Sequence, residues 1–281
     1  MNRRRKIGNI VYHIIAVLFS ITALYPILWM VASSLKDSSE VFVNSYSLIP
    51  GAFHFDNYVR GWKGFGNHTF ALFFRNTFII VIASVTGVLL SCSFIAYGFA
   101  RIRFKFKNFW FMTVILTLLL PGQLVIIPQY IIFNNILHWT NTFLPLIVPS
   151  FLGAPFFIFL NLQFIRTIPL ELDESAKLDG CSRFQIYYKL IVPLIKPALI
   201  TCAIFEFYWS WDNYLPSLLY LGKPELFNLS IALKMFSDPG STSDWGAMFA
   251  MAALSLIPPI AVFFFFQKYI VEGISTTGLK A

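Results

Sequence analysis

Six apolar runs decide what this chain can fold into; they lie near residues 10–32, 77–100, 109–133, 142–165, 197–219 and 247–269. Each is long enough to cross a hydrocarbon core, which takes about 20 residues, and in lipid such runs satisfy their own backbone as helices. Composition agrees: 57% of residues are hydrophobic and 12% charged, with a mean hydropathy of +0.70, where soluble domains carry about 25% charge. The 32 phenylalanines and 7 tryptophans suit lipid-facing surface and interfacial anchoring. The expected fold class is all-α, a polytopic membrane protein of six transmembrane helices in a single domain over residues 1–281. Pro121, Pro128, Pro145, Pro149 and Pro155 interrupt the third and fourth runs. Prolines inside spans are tolerated where neighbouring helices re-satisfy the freed carbonyls, so these two belong inside a bundle.

Charge orients the chain. Of its 21 lysines and arginines, all but Lys36, Arg60, Lys63, Arg75, Lys223 and Lys234 fall before the first run or after the second, fourth and sixth. The positive-inside rule then places both termini and the loop after the fourth run in the cytoplasm of a multi-pass protein. A net charge of +8 raises nucleic acid as a partner, but the basic residues sit in short runs beside apolar segments, so no nucleic acid is expected. Arg3-Arg4-Arg5-Lys6 before an apolar run looks superficially like a signal peptide. No small-x-small cleavage site follows, and the run continues to Val31, so it reads as a retained first span. Cys92, Cys181 and Cys202 form no spaced pair and read as free thiols. The outer segments near 33–76 and 220–246 mix both charges with Gly, Pro, Asn and Ser. The first is too long for a simple connector and is expected to cover the outer mouth or meet a partner.

One polar stretch, residues 169–193, separates two apolar runs. Pro169 suits a first helical turn, and Glu171, Asp173 and Glu174 complement the positive end of a helix dipole. Asp179-Gly180 ends that helix, glycine being the usual residue where the chain turns left-handed. Ser182 and Gln185 stand in capping-box spacing for a second helix, with Phe184, Tyr188 and Ile191 as its apolar face. Pro193 and Pro197 turn the chain back into apolar sequence. Two readings stand: an amphipathic element lying on lipid headgroups, or a docking element for a soluble partner. In the second, Ser175 and Ala176 let another backbone approach and Leu172, Ala176, Leu178 and Asp179 fill a groove. The residues alone do not decide between them.

No catalytic or metal site is expected. The chain has no GxxxxGK(S/T) phosphate loop, no HExxH and no GxSxG, and His13, His54, His68 and His138 are scattered. ATP hydrolysis is therefore expected on another chain, and this one is expected not to be an enzyme. The fifth run holds the unusual polar residues. Glu206 in its interior costs at least ~2.5 kcal/mol unless it faces water or a partner. Helical spacing puts Glu206, Trp209, Ser210 and Asn213 on one face, with Asp212 near the outer end. Aromatic faces beside carboxylate and amide acceptors suit a sugar; a Glu206 paired across a subunit interface is the competing reading. Gln123, Gln129, Asn134, Asn135, Asn161 and Gln163 are either path-lining groups or helix-packing hydrogen-bonders.

Glu174-Ser175-Ala176, Gly180 and Leu190-x-Val192-Pro193 resemble the EAA loop of ABC-importer permeases, with Ser, Leu and Val replacing Ala, Ile and Leu of that pattern. The likeness extends to Asn76-Thr77, Ala96-Tyr97-Gly98-Phe99-Ala100-Arg101, Pro128-Gln129-Tyr130, Thr140-Asn141-Thr142 and Gln267–Gly273. With Thr277–Ala281 these resemble the carbohydrate-uptake branch of maltose permease G type. The resemblance implies an ABC type I importer permease in a bacterial inner membrane, serving a sugar, with an oligosaccharide the expected kind. It implies as partners a second, longer permease forming a heterodimer, two ATPase subunits holding ATP and Mg, an extracytoplasmic sugar-binding protein, the sugar substrate and membrane lipid. It also makes residues 169–193 a coupling helix seated in an ATPase cleft, with Glu174, Ser175, Ala176, Leu178, Asp179, Gly180 and Pro193 in that role. Glycerol phosphate within the same family, or an ion-coupled secondary transporter, are the alternatives. A phosphate substrate favours cations inside the spans, and none lies well inside them.

Overall fold

A computed structural model of the chain describes residues 3–236 and 244–278. The end of the C-terminal tail, Leu279-Lys280-Ala281, and residues 237–243 of the outer stretch lie outside the described residues. Among the described residues the structure is helical, with only an isolated bridge between Phe65 and His68.

Asn9–Ser33, Phe70–Arg101, Leu144–Thr167 and Trp245–Tyr269 are long and apolar enough to cross a membrane. Two bent pairs, Lys107–Leu119 with Gly122–Ile136 and Arg183–Leu194 with Lys196–Trp211, bring the number of spans to six if each pair counts as one. The first pair bends by 102°, at Pro121. The proline ring disfavours helical backbone at the residue before it, and Leu120 is extended with ψ 125°. The second pair bends by 76° between Pro193 and Pro197. The run near 197–219 is helical to Trp211, breaks at Asp212 and Asn213, and resumes over Tyr214–Tyr220. The run near 142–165 contains short turns at Leu144–Ile147 and Val148–Phe151 before Pro155 opens a regular helix to Thr167. Phe70–Arg101 has 32 residues, about 48 Å at 1.5 Å per residue, so it either tilts or projects past a ~30 Å hydrocarbon core.

The chain gathers into two compact units. The first comprises residues 3–70 and 232–257. Here Asp56–Lys63 packs on Trp245–Ser255 so closely that a Cβ on Gly61 meets the Met251 side chain at 2.7 Å. Asn57 is fully buried and its amide donates to Ser34 O and Lys36 O, each at 2.8 Å. Lys36 is buried too, its ammonium donating to Asn44 O at 2.9 Å and Ser47 O at 2.6 Å. Asp244 caps the last helix of this unit, accepting from Ala247 N, Ser38 Oγ and Arg60 Nε. Along Asn9–Ser33 apolar side chains are exposed around the helix, as expected of a surface awaiting lipid or another protein.

The second unit comprises residues 71–231 and 258–278. Its core brings together Val88, Cys92, Phe157, Leu162, Ile165, Ile186, Ile191, Ala198 and Cys202, from the second and fourth runs, the polar stretch and the helix Lys196–Trp211. All three cysteines are free. Asn161 is buried in this core and donates to Phe157 O at 2.8 Å and Cys202 Sγ at 3.2 Å, a packing role. At the far end of this unit Asn76 donates to Glu225 O and Phe227 O, and Thr77 accepts from Leu229 N.

Candidate functional site

The polar stretch is a helix, a glycine turn and a second helix. Leu170–Leu178 follows Pro169, and Asp179 closes it. Gly180 has φ +81°; its N–H donates to Lys177 O at 3.0 Å and Cys181 N–H donates to Ala176 O at 2.9 Å. These are the paired bonds of a Schellman stop, which needs a left-handed residue at that position. Ser182 and Gln185 form the expected capping box, each side chain holding the other's backbone. The second helix differs from expectation on its inward face. Ile191 is buried as expected, but Phe184 and Tyr188 are exposed, and Ile186 and Tyr187 are buried in their place. Arg183–Ile186 runs into a wider turn over Tyr187–Ile191, which rotates the buried side away from the face that 3.6-residue spacing gives.

On the first helix, Glu174, Ser175, Leu178, Asp179 and Gly180 are exposed, and Leu178 is 90% exposed. Asp173 points inward, and Ala176 is half-buried against the protein's own core. Asp173 Oδ2 lies 2.9 Å from Arg101 Nε in an ion pair whose side chains are each 6% exposed. Burial pushes the Asp173 carboxyl above its ordinary pKa, with Arg101 and then Lys177 working against that push.

Three residues of the helix Phe70–Arg101 hold this stretch. Ser93 shares a 2.7 Å hydrogen bond with the Tyr187 hydroxyl, Tyr97 donates to Arg183 O at 3.0 Å, and Arg101 Nη2 donates to Ile168 O at 2.6 Å. Positions 93, 97 and 101 are one helical turn apart along a single face. The loop is thus fixed to one span at both its ends. Sequence reasoning assigned Asp173 to the helix dipole with its neighbours and missed Ser93, Tyr97 and Arg101. Their four-residue spacing along one face of the helix's last turns was the available signal.

The fifth-run residues separate. Ser210 donates to Glu206 Oε1 at 2.7 Å. Trp209 is half exposed and packs on Phe156, Phe157 and Phe205. Asp212 is exposed at the helix end, and Asn213 lies beyond it, its carbonyl accepting from Ser217 Oγ and Asn228 Nδ2. Asn213 meets Gln123 and Gln129 around a groove of about 440 Å³, with Phe133 and Tyr220 as aromatic walls and Gly122, Pro145, Pro149 and Pro216 shaping it. Volumes of this order are usual for small-molecule sites. Among the described residues no charged one lines the groove, and Glu206 is not part of it.

Helices of this length and apolarity, with a polar helix pair gripped by one span, define a polytopic membrane protein with a structured loop outside its spans. The comparisons give the family. The family described as "Binding-protein-dependent transport system inner membrane component" matches residues 90–276. The chain is 32% identical to the probable ABC transporter permease protein YurM of Bacillus subtilis, over 99% of this chain and 91% of that protein. It is 31% identical to the arabinooligosaccharides transport system permease protein AraQ of Bacillus subtilis, over 96% of each. It is 28% identical to the sn-glycerol-3-phosphate transport system permease protein UgpE of Yersinia enterocolitica, over 98% of each. Among solved structures, a bacterial ABC transporter involved in import of the acidic polysaccharide alginate superposes with a TM-score of 0.81, at 23% identity, covering 96% of this chain and 98% of that one. The last likeness shows the fold. The chain belongs to the binding-protein-dependent transport system inner membrane components, the permeases of ABC importers.

Proposed function

We propose that this chain forms half of the translocation path of an ATP-driven sugar importer, and that the sugar is an oligosaccharide. A second, longer permease supplies the other half, two ATPase subunits bind ATP and Mg and dock beneath, and an extracytoplasmic binding protein delivers the sugar. Both termini and residues 169–193 face the cytoplasm of a bacterial inner membrane. The chain itself performs no catalysis.

The observation that carries the coupling role is the grip of Ser93, Tyr97 and Arg101 on the loop. A docking element transmits force only if it moves as one body with a span, and four polar contacts, one of them a buried ion pair, join these two. The exposed face offers Leu178, Glu174, Ser175 and Asp179 to an ATPase cleft, in the helix-in-groove mode. Gly180 makes the turn between the two helices of the loop, and Pro193 stands near the bend where the chain re-enters its apolar run. ATP closes the nucleotide-binding dimer, the docked loops follow, and the spans exchange inward- and outward-open states. That coupling works only because the closed dimer fits one arrangement of the loops better than the other.

For the substrate, the groove lined by Gln123, Gln129, Asn213 and Tyr220 offers amide and hydroxyl partners and aromatic walls without a charge. That lining suits sugar hydroxyls and stacked C–H faces. A glycerol phosphate substrate, suggested by the relative from Yersinia, calls for a cation that this groove lacks. Glu206, Trp209, Ser210 and Asp212 lie outside the groove and serve as further path residues when the spans rearrange. The test is uptake into proteoliposomes of the assembled transporter, with its binding protein and internal ATP, across a panel of oligosaccharides, monosaccharides and glycerol 3-phosphate. ATP-dependent uptake confined to glycerol 3-phosphate rejects the sugar reading.

A further inference from the structure

A second pocket, of about 360 Å³, lies where the helix Phe70–Arg101 ends and the polar loop folds back on it. Five basic side chains line it, Arg101, Arg103, Lys107, Lys177 and Arg183, against two acidic ones, Asp173 and Glu174. Among the described residues only Arg101 of these five is ion-paired; Arg103, Lys107, Lys177 and Arg183 meet no carboxylate, and Lys107 Nζ donates to Ile102 O at 3.3 Å. Unpaired cations crowded into one concavity repel one another, and an anion relieves that repulsion. A second observation is independent of charge. Asp173 is 4% exposed, and its Oδ1 is buried without a hydrogen-bond partner. A buried acceptor left unmet costs roughly 1–3 kcal/mol, so this oxygen wants a donor from whatever fills the pocket.

The surroundings point to the membrane surface. The connection from Arg101 to Lys107 carries Phe104 and Phe106, both exposed, and the next helix opens with exposed Phe109 and Trp110. Aromatic residues beside basic ones mark the headgroup level, and basic pockets at span ends on the cytoplasmic side suit anionic headgroups.

We propose that this pocket holds a phosphate ester bearing a free hydroxyl, the chemistry of a glycerophosphate headgroup. The phosphate sits among Arg103, Lys107, Lys177 and Arg183, and the hydroxyl donates to Asp173 Oδ1. A bound phosphate bridges Lys177 and Arg183, from the two helices of the loop, to Arg103 and Lys107 of the span connection. It therefore stiffens the same joint that Arg101 makes. The site stands whichever solute the permease carries.

The test uses the full chain in nanodiscs of dioleoylphosphatidylcholine, with or without dioleoylphosphatidylglycerol, read by thermal unfolding and by mass spectrometry of retained lipid. Phosphatidylglycerol raises the wild-type midpoint by several degrees and is retained over phosphatidylcholine. Arg103→Gln with Lys107→Gln, off the loop and outside the Arg101–Asp173 pair, weakens retention roughly 10- to 30-fold. Dioleoylphosphatidic acid, anionic without the hydroxyl, is retained less; equal retention contradicts the Asp173 contact. A midpoint rise with glycerol 3-phosphate in phosphatidylcholine discs supports the pocket and assigns it a soluble phosphate ester. Equal midpoints in all discs with no response to glycerol 3-phosphate, or an unchanged response in the double variant, overturns the site.

Discussion

Arg101 and Asp173 meet at 2.9 Å with almost no solvent around either side chain. One closes a 32-residue helix and the other faces inward from the helix Leu170–Leu178. Burying two charges is expensive, and a pair of this kind is weak evidence of added stability. Its value here is mechanical: it fixes where the loop sits against the span.

Breaking one side of that pair leaves an uncompensated buried charge. Asp173→Asn or Arg101→Met is expected to destabilise the chain by about 3–5 kcal/mol. Replacing both partners with apolar residues, Arg101→Met with Asp173→Leu, is expected to recover most of the loss. Unfolding midpoints of the detergent-purified variants check both. A double variant as unstable as the singles contradicts the ion-pair assignment.

Gly180 at φ +81° has open space where a Cβ would sit, so backbone strain alone limits substitution. Gly180→Asn is expected to be tolerated. Gly180→Val is expected to cost about 1–2 kcal/mol, and to lower ATP-driven uptake with normal membrane levels. Immunoblots beside uptake rates separate the two effects.

The groove makes a separate prediction. Removing one amide, Gln123→Leu or Gln129→Leu, takes away a hydrogen bond worth about 0.5–1.5 kcal/mol, a few-fold to tenfold. That loss is expected in the concentration dependence of uptake, with ATPase activity retained. An unchanged concentration dependence in both variants takes the groove off the sugar path.

Asp244 responds to pH in a defined direction. Burial opposes its ionisation, but hydrogen bonds from Arg60, Ala247 N–H and Ser38 outweigh this and hold its pKa below the ordinary aspartate value. A depressed carboxylate contributes stability that is fully present above its unfolded value and lost as pH falls through its folded one. Asp244→Asn keeps a helix cap but loses the charge. The wild type's stability margin over this variant is expected to shrink as pH drops from 5 towards 3, about the range of carboxylate titration, and thermal melts across it measure this.

How much was legible follows the range of each interaction. The glycine stop and the Ser182–Gln185 box were readable because they are set by residues three to five apart. The inward turn of Asp173 was not, because Glu171, Asp173 and Glu174 serve a helix dipole equally and only the distant Arg101 distinguishes them. The outward placement of Phe184 and Tyr188 was not legible, because the wider turn over Tyr187–Ile191 breaks the 3.6-residue period. Proline marked the interruption at Pro121, but not that the chain turns through 102° there. Gln123, Gln129 and Asn213 were each visible as polar residues in apolar runs. Their meeting around one groove, with Glu206 outside it, depends on tertiary packing.

The most direct measurement concerns Leu178, 90% exposed on a polar helix that this chain alone gives no reason to leave apolar. Leu178→Asp touches nothing in the core, so folding and membrane level are expected to stay normal. If the loop seats in an ATPase cleft, the tagged variant no longer co-purifies with an ATP-hydrolysing subunit and ATP-driven uptake falls to background. Full uptake by the variant, surviving ATP depletion and stopping when the proton or sodium gradient collapses, contradicts the coupling role.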